Sequence, residues 1–108
     1  MISVDTTTLS SIINQCFAFS SDDRVSPADQ NQFLALGKRL RGSLLNLISA
    51  QFNDGTQAVL NANQQLTTVN TQLSDSGTAL ANTAQTLNNV ASLVSNLDAL
   101  LGIAAKFV

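Results

Sequence analysis

The sequence predicts an all-α fold, an antiparallel helical hairpin or bundle of three to four helices with a long C-terminal helix. Apolar residues recur at every seventh position from Leu45 onward, as in helices that present one continuous seam to a neighbour. The only proline, Pro27, stands where it fits the start of a helix. The residues of this heptad seam are Leu45, Phe52, Val59, Leu66, Leu73, Leu80, Leu87, Val94, Leu101 and Val108.

The first predicted helix spans about residues 6–20. Asp5 or one of the three threonines after it can cap the N terminus, because a side-chain oxygen there accepts from a free backbone N–H. The apolar residues that follow recur at helical spacing and define one face that packs on a neighbour. This face consists of Leu9, Ile12, Ile13, Cys16 and Phe17.

The second predicted helix spans about residues 27–52, and its start carries the clearest capping signal in the chain. Ser26 can accept from a backbone N–H three residues on, and Asp29 places negative charge at the positive end of the helix dipole. Gly37 and Gly42 each cost about 1 kcal/mol against Ala inside a helix. We therefore expect another backbone to approach the helix closely at these two positions.

The third predicted helix spans about residues 56–106, after a turn at residues 53–55. Residues 75–77 offer a second break, which would divide this helix and give a bundle of four helices. Leu73 and Leu80 keep the same heptad register on either side of that break. For this reason we favour a continuous helix.

The length of 108 residues indicates one domain over residues 1–108, and its charge is low at 11% against a usual value of about 25%. No Lys or Arg occurs between Gly42 and Ala105, so electrostatic steering toward nucleic acid is not expected. The basic cluster of Lys38, Arg39 and Arg41 lacks interleaved aromatics and falls short of a nucleic-acid footprint. It is interpreted as the solvated side of the second helix.

The composition also argues against catalysis and metal binding. The chain has no His, which is the commonest general base and metal ligand, and it has no Glu. Asp22, Asp23 and Asp29 do not follow the spacing of a calcium-binding loop. Cys16 has no base to activate it and is interpreted as a small core residue. We therefore expect no enzyme, no catalytic residue, no cofactor and no metal site.

The sequence favours a location in the cytoplasm, or export without a cleaved signal peptide. The first residues lack the basic and apolar regions of such a signal. The most apolar stretch, residues 97–105, is shorter than the roughly 20 residues of a membrane span. Contact with a membrane through this last segment is an alternative, but the absence of Lys and Arg from most of the long helix disfavours it.

These patterns predict a structural or interaction protein, a helical module that forms a homo-oligomer or docks helix to helix with a protein partner. A hairpin of two or three helices would leave much of its apolar circumference in water, and association would cover it. The alternatives are a secreted or membrane-associated helical factor and a small-molecule-binding bundle with a cavity near Ala62 and Thr83. The residues predicted to form the interface are Leu87, Val90, Val94, Leu97 and Leu101.

Overall fold

A computed structural model describes residues 3–53 and 56–103, and this part of the chain folds into five helices. The predicted all-α fold is confirmed. The predicted turn residues Asp54 and Gly55 and the last seam position, Val108, lie outside the described residues. The helices are α1 (Thr6–Ser20), α2 (Pro27–Leu47), α3 (Gln57–Ser74), α4 (Ser76–Ala81) and α5 (Thr83–Leu101).

The preference for one continuous C-terminal helix was wrong, because the chain breaks at Asp75 and again at Asn82. Asp75 has an extended backbone, with φ −98° and ψ 90°, and ends α3. Its carboxylate accepts from the backbone N–H of Thr78 at 3.1 Å and from the Thr78 hydroxyl at 2.8 Å, which caps α4. The side chain of Asn82 caps α5 in the same way, by accepting from the N–H of Gln85 at 3.3 Å.

The second helix is shorter than predicted and ends at Leu47 instead of residue 52. Its predicted start is confirmed, since the Ser26 hydroxyl accepts from the backbone N–H of Asp29 at 3.3 Å. Beyond the helix, Phe52 is only 1% exposed and belongs to the core. The chain therefore leaves the helix early and turns this aromatic ring inward.

The four long helices form a ring in which α1 neighbours α2 and α3, and α5 neighbours the same two helices. Hydrogen bonds between α3 and α5 fix them as antiparallel, since Gln72 pairs with Asn89 and Gln65 with Asn96. Ser11 of α1 pairs with Asn70 of α3, and Asp5 before α1 pairs with Asn63. Because the residue numbers increase in the same direction in both pairs, α1 and α3 are parallel.

The segment between α2 and α3 crosses the end of the bundle diagonally. Helices α2 and α3 follow each other in sequence, yet no Cα atom of α2 lies within 8 Å of a Cα atom of α3 in the described structure. Each packs instead against α1 and α5. Phe52 lies in this crossing segment and closes that end of the core.

Amide side chains make most of the polar contacts between helices. The Asn89 amide donates to the Gln72 carbonyl oxygen at 2.8 Å, and Asn96 donates to Gln65 at the same distance. Gln15 of α1 donates to the Asn70 oxygen of α3 at 2.7 Å. Such neutral contacts explain how a chain with little charge sets the pairing of its helices.

The two glycines of α2 differ in their surroundings. A Cβ on Gly37 would lie 3.0 Å from Cε1 of Phe17 and 3.3 Å from Cβ of Cys16, so α1 approaches closely there. A second helix therefore does lie close to this glycine, although the nearest atoms belong to side chains and not to the predicted backbone. Gly42 is exposed, and a Cβ built on it would meet no atom within 4 Å. The close approach predicted at Gly42 is absent among the residues that the structure describes.

We expect stability to be constant from about pH 8 to about pH 5 and to fall below about pH 4. Hydrogen bonds from the side chains and backbones of Thr8 and Thr78 lower the pKa of Asp5 and Asp75, respectively. A carboxylate whose pKa is lower in the folded state stabilises the fold above its unfolded pKa. That stabilisation disappears as the pH falls through the folded value.

Thermal melts followed by circular dichroism across this pH range measure the effect. The variant Asp75→Asn has no carboxylate at this cap to take up a proton, so its stability should drop less on acidification. An identical acid dependence in the variant and the parent would show that the Asp75 cap does not contribute.

Candidate interaction surface

The residues predicted to form the interface lie inside the bundle. Leu87, Val90, Val94 and Leu97 are buried on the face of α5 that packs against α2 and α3. Leu101 is half-buried against the same core. The chain thus covers this face with its own helices, and association through it stays a prediction.

Exposed apolar residues concentrate instead on the outer side of α2. Leu45 is 68% exposed, Ile48 is 64% exposed and Leu34 is 36% exposed. Residues spaced by three and four positions share one side of a helix. We call this side the α2 stripe, and it consists of Leu34, Lys38, Arg41, Leu45 and Ile48.

The α2 stripe is positively charged. Lys38 and Arg41 are exposed, and neither has a carboxylate within ion-pair distance among the described residues. The other two described cations are paired, with Arg24 on Asp22 at 2.7 Å and Arg39 on Asp98 at 3.1 Å. Both pairs are exposed and stabilise the fold little.

Arg41 is held in place by an aromatic neighbour. Its guanidinium carbon lies 5.6 Å from the centroid of the Phe17 ring, which fits a cation–π contact. The acidic residue of α2, Asp29, lies one turn before the buried Phe33 and hence on the same side of the helix as Phe33. That side is opposite the α2 stripe. The stripe therefore combines apolar and basic side chains without an acidic one.

A shallow groove of about 350 Å³ lies between α3 and α5. The apolar residues that line the groove include Ala62, Ala99 and Ile103. Its polar lining includes the side-chain amides of Gln65 and Asn96. No charged or nucleophilic side chain lines it. Ala62 therefore lies beside a cleft, as the small-molecule hypothesis requires, whereas Thr83 does not line it.

The described residues bring together no constellation of catalytic or metal-binding groups. No three His, Cys, Asp or Glu side chains in this part of the chain are close enough to share a metal ion. Asp22 is engaged by Arg24, whose side chain lowers the pKa of that carboxyl to about 2. Burial raises the pKa of the Cys16 thiol to about 12, so the reactive thiolate is disfavoured.

We expect Cys16 to be protected from thiol reagents in the native protein. It is fully buried, and exposure requires local or global opening of the bundle. Its reaction with a disulfide reagent at about pH 8 should be more than about a hundredfold slower than in urea-unfolded protein. Equal rates in the two states would contradict the packed position of this side chain.

The α2 stripe was not recognised from the sequence as one surface. In the sequence, Leu45 belongs to the heptad seam, whereas Lys38 and Arg41 belong to a basic cluster that is interpreted as a solvated side of the helix. The signal that joins them is the spacing of Leu34, Lys38, Arg41 and Leu45, which differ by four, three and four positions. The seven-residue period hides this spacing, because it groups Leu45 with Phe52 and not with Arg41.

None of the helices formed by residues 3–53 and 56–103 is both long and apolar enough to cross a membrane. Comparison of the chain with known protein families, with curated proteins and with solved structures gives no match. The surface chemistry of the bundle is therefore the basis for the functional proposal.

Proposed function

We propose that the protein is a structural or interaction module that docks helix to helix, with a protein partner or with a second copy of itself. The observation that carries this proposal is the α2 stripe. Leu45 and Ile48 expose about two thirds of their surface one turn apart, whereas the bundle buries most of its other large apolar side chains. Exposed apolar side chains grouped on one face are typical of a contact surface.

The size of the stripe indicates a contact of modest strength. Burying one fully exposed Leu or Ile side chain contributes about 2 kcal/mol. Leu34, Leu45 and Ile48 are already partly buried, so covering the remainder of all three contributes about 3 kcal/mol. Association costs roughly 4–15 kcal/mol in lost translational and rotational freedom. The apolar residues alone therefore give weak binding, and polar or charged contacts must add to it.

The proposed location is the cytoplasm, or the outside of the cell after export without a cleaved signal peptide. The low surface charge and the buried thiol of Cys16 fit both places. Fractionation of the producing cells into cytosol, membranes and medium distinguishes them. Recovery in the membrane fraction would instead favour the membrane-associated alternative.

The test of the proposed function compares the parent chain with a variant of the stripe, Leu45→Ser combined with Ile48→Ser. Light scattering over a hundredfold concentration range reports self-association, and capture from the producing cells reports a partner. We expect the parent to associate in one of these two ways and the double variant to lose that association.

The matched control is Leu60→Ser, which makes the same kind of change at a partly exposed position of α3. We expect this variant to associate as the parent does. A parent chain that stays monomeric and captures nothing would overturn the proposal. Association that survives the double variant would place the contact elsewhere on the bundle.

A further inference from the structure

We propose that the partner on the α2 stripe is an acidic amphipathic helix of another protein, with aliphatic residues on one side and Asp or Glu beside them. This inference rests on the proposed function and names the chemistry of the partner. Three features of the stripe support it. They are its two cations, which pair with no carboxylate of residues 3–53 and 56–103, the symmetry of a self-contact, and the exposed glycine at its edge.

The two cations of the stripe favour a partner that carries anionic groups. Lys38 and Arg41 lie between Leu34 and Leu45, so a partner that covers the apolar side chains also removes water from the charges. A charge that loses water without gaining an opposite charge opposes binding. Carboxylates spaced along the partner helix meet this need and also speed up the encounter.

A second copy of the chain does not supply those anions. Copies related by a twofold axis contact each other through the same surface patch. In an antiparallel pairing that places Leu34 opposite Ile48, the two Arg41 side chains face each other across the axis. In a parallel pairing every cation of the stripe faces its own equivalent, so like charges meet in both arrangements.

Gly42 favours a helix over a lipid surface as the partner. It lies on the exposed side of α2, beside the stripe, and a Cβ built on it would meet no atom of the described residues within 4 Å. Glycine weakens a helix interior relative to Ala, and no contact with the described part of the bundle compensates for this. The missing side chain at Gly42 leaves a gap on the helix surface, into which a row of side chains of a second helix can pack. A bilayer surface has no such row of side chains.

The length of the stripe sets the length of the partner. From residue 34 to residue 48 the helix rises about 21 Å, at 1.5 Å per residue. A partner segment of about 15 helical residues spans this distance. Binding segments of this type insert their apolar side chains at positions i, i+3 or i+4, and i+7.

The first experiment measures binding of a fluorescent synthetic peptide of about 18 residues that has Leu at helical spacing and Glu on the flanks. Its control has the same sequence with Lys in place of every Glu. We expect the acidic peptide to bind at least tenfold more tightly and to shift the amide resonances of α2 in preference to those of α3.

Two variants test the chemistry of the contact. Lys38→Gln combined with Arg41→Gln should weaken binding of the acidic peptide at least tenfold, whereas Arg24→Gln, which alters a cation at a distant loop, should not. Gly42→Ala should raise the melting temperature by about 5 °C, because it removes the cost of a helical glycine. The same variant should weaken binding, since its methyl group fills the gap.

The outcomes separate this inference from the proposed function. Equal binding of the two peptides, or Gly42→Ala that stabilises the helix and leaves binding intact, would overturn the inference. Failure of the acidic peptide together with self-association that requires Leu45 and Ile48 would overturn the inference and support the homo-oligomer. Co-flotation with vesicles of mixed anionic and neutral lipid, without peptide binding, would overturn both proposals in favour of a membrane contact.

Discussion

Replacing Val94 by Asp is expected to unfold the chain or to lower its free energy of unfolding by at least about 4 kcal/mol. Val94 is 3% exposed and lies among other apolar side chains of α5 in the core between the helices. A carboxylate at this position loses its water and gains no partner. Because a domain of this size is stable by only about 5–15 kcal/mol, urea denaturation followed by circular dichroism will detect the loss.

The control for this prediction is Ser95→Asp, one residue further along the same helix and exposed. This variant introduces the same charge and should change stability by less than about 0.5 kcal/mol. The result also separates two roles of the heptad seam. A folded Val94→Asp monomer obtained from an associated parent would identify Val94 as an interface residue, whereas loss of the fold at every concentration identifies it as a core residue.

The heptad pattern correctly indicated helices, but it did not reveal that the chain folds back on itself. Val59, Leu66 and Leu73 occupy the buried side of α3, and Leu87 and Val94 continue the same register on α5. A period of seven places apolar residues on one side of each helix. It carries no information about whether two such stretches are continuous or pack against each other.

The break at Asp75 did have a local signal. Asp5 and Thr8 cap α1, with the carboxylate accepting from the Thr8 backbone N–H at 3.1 Å and from its hydroxyl at 2.6 Å. Asp75 and Thr78 have the same spacing and make the same two bonds at α4. Asp5 was recognised as a possible cap. Applied to Asp75, the same reasoning would have predicted a new helix start.

The α2 stripe and the diagonal connection could not be predicted in this way. Leu45 and Phe52 are consecutive members of the same heptad, yet Leu45 is exposed and Phe52 is buried. Their difference depends on where α2 ends and on how the following segment crosses the bundle. That crossing is set by the packing of α1 and α5 between α2 and α3, which is a property of the whole fold.

Replacing Phe52 by Ala is expected to lower the free energy of unfolding by about 3–5 kcal/mol. The ring is 1% exposed, although it lies outside the helices, and it closes the end of the core beneath the diagonal segment. Its removal leaves a cavity at this end of the core. Urea denaturation monitored by circular dichroism measures the change in stability.

The matched control is Leu45→Ala, seven residues earlier and 68% exposed. In the absence of a partner this variant should change the free energy of unfolding by less than about 0.5 kcal/mol. A large loss at Leu45 with little loss at Phe52 would contradict both the crossing of the connection and the exposure of the α2 stripe. The predicted order, with Phe52 essential to the fold and Leu45 dispensable for it, leaves Leu45 available for binding.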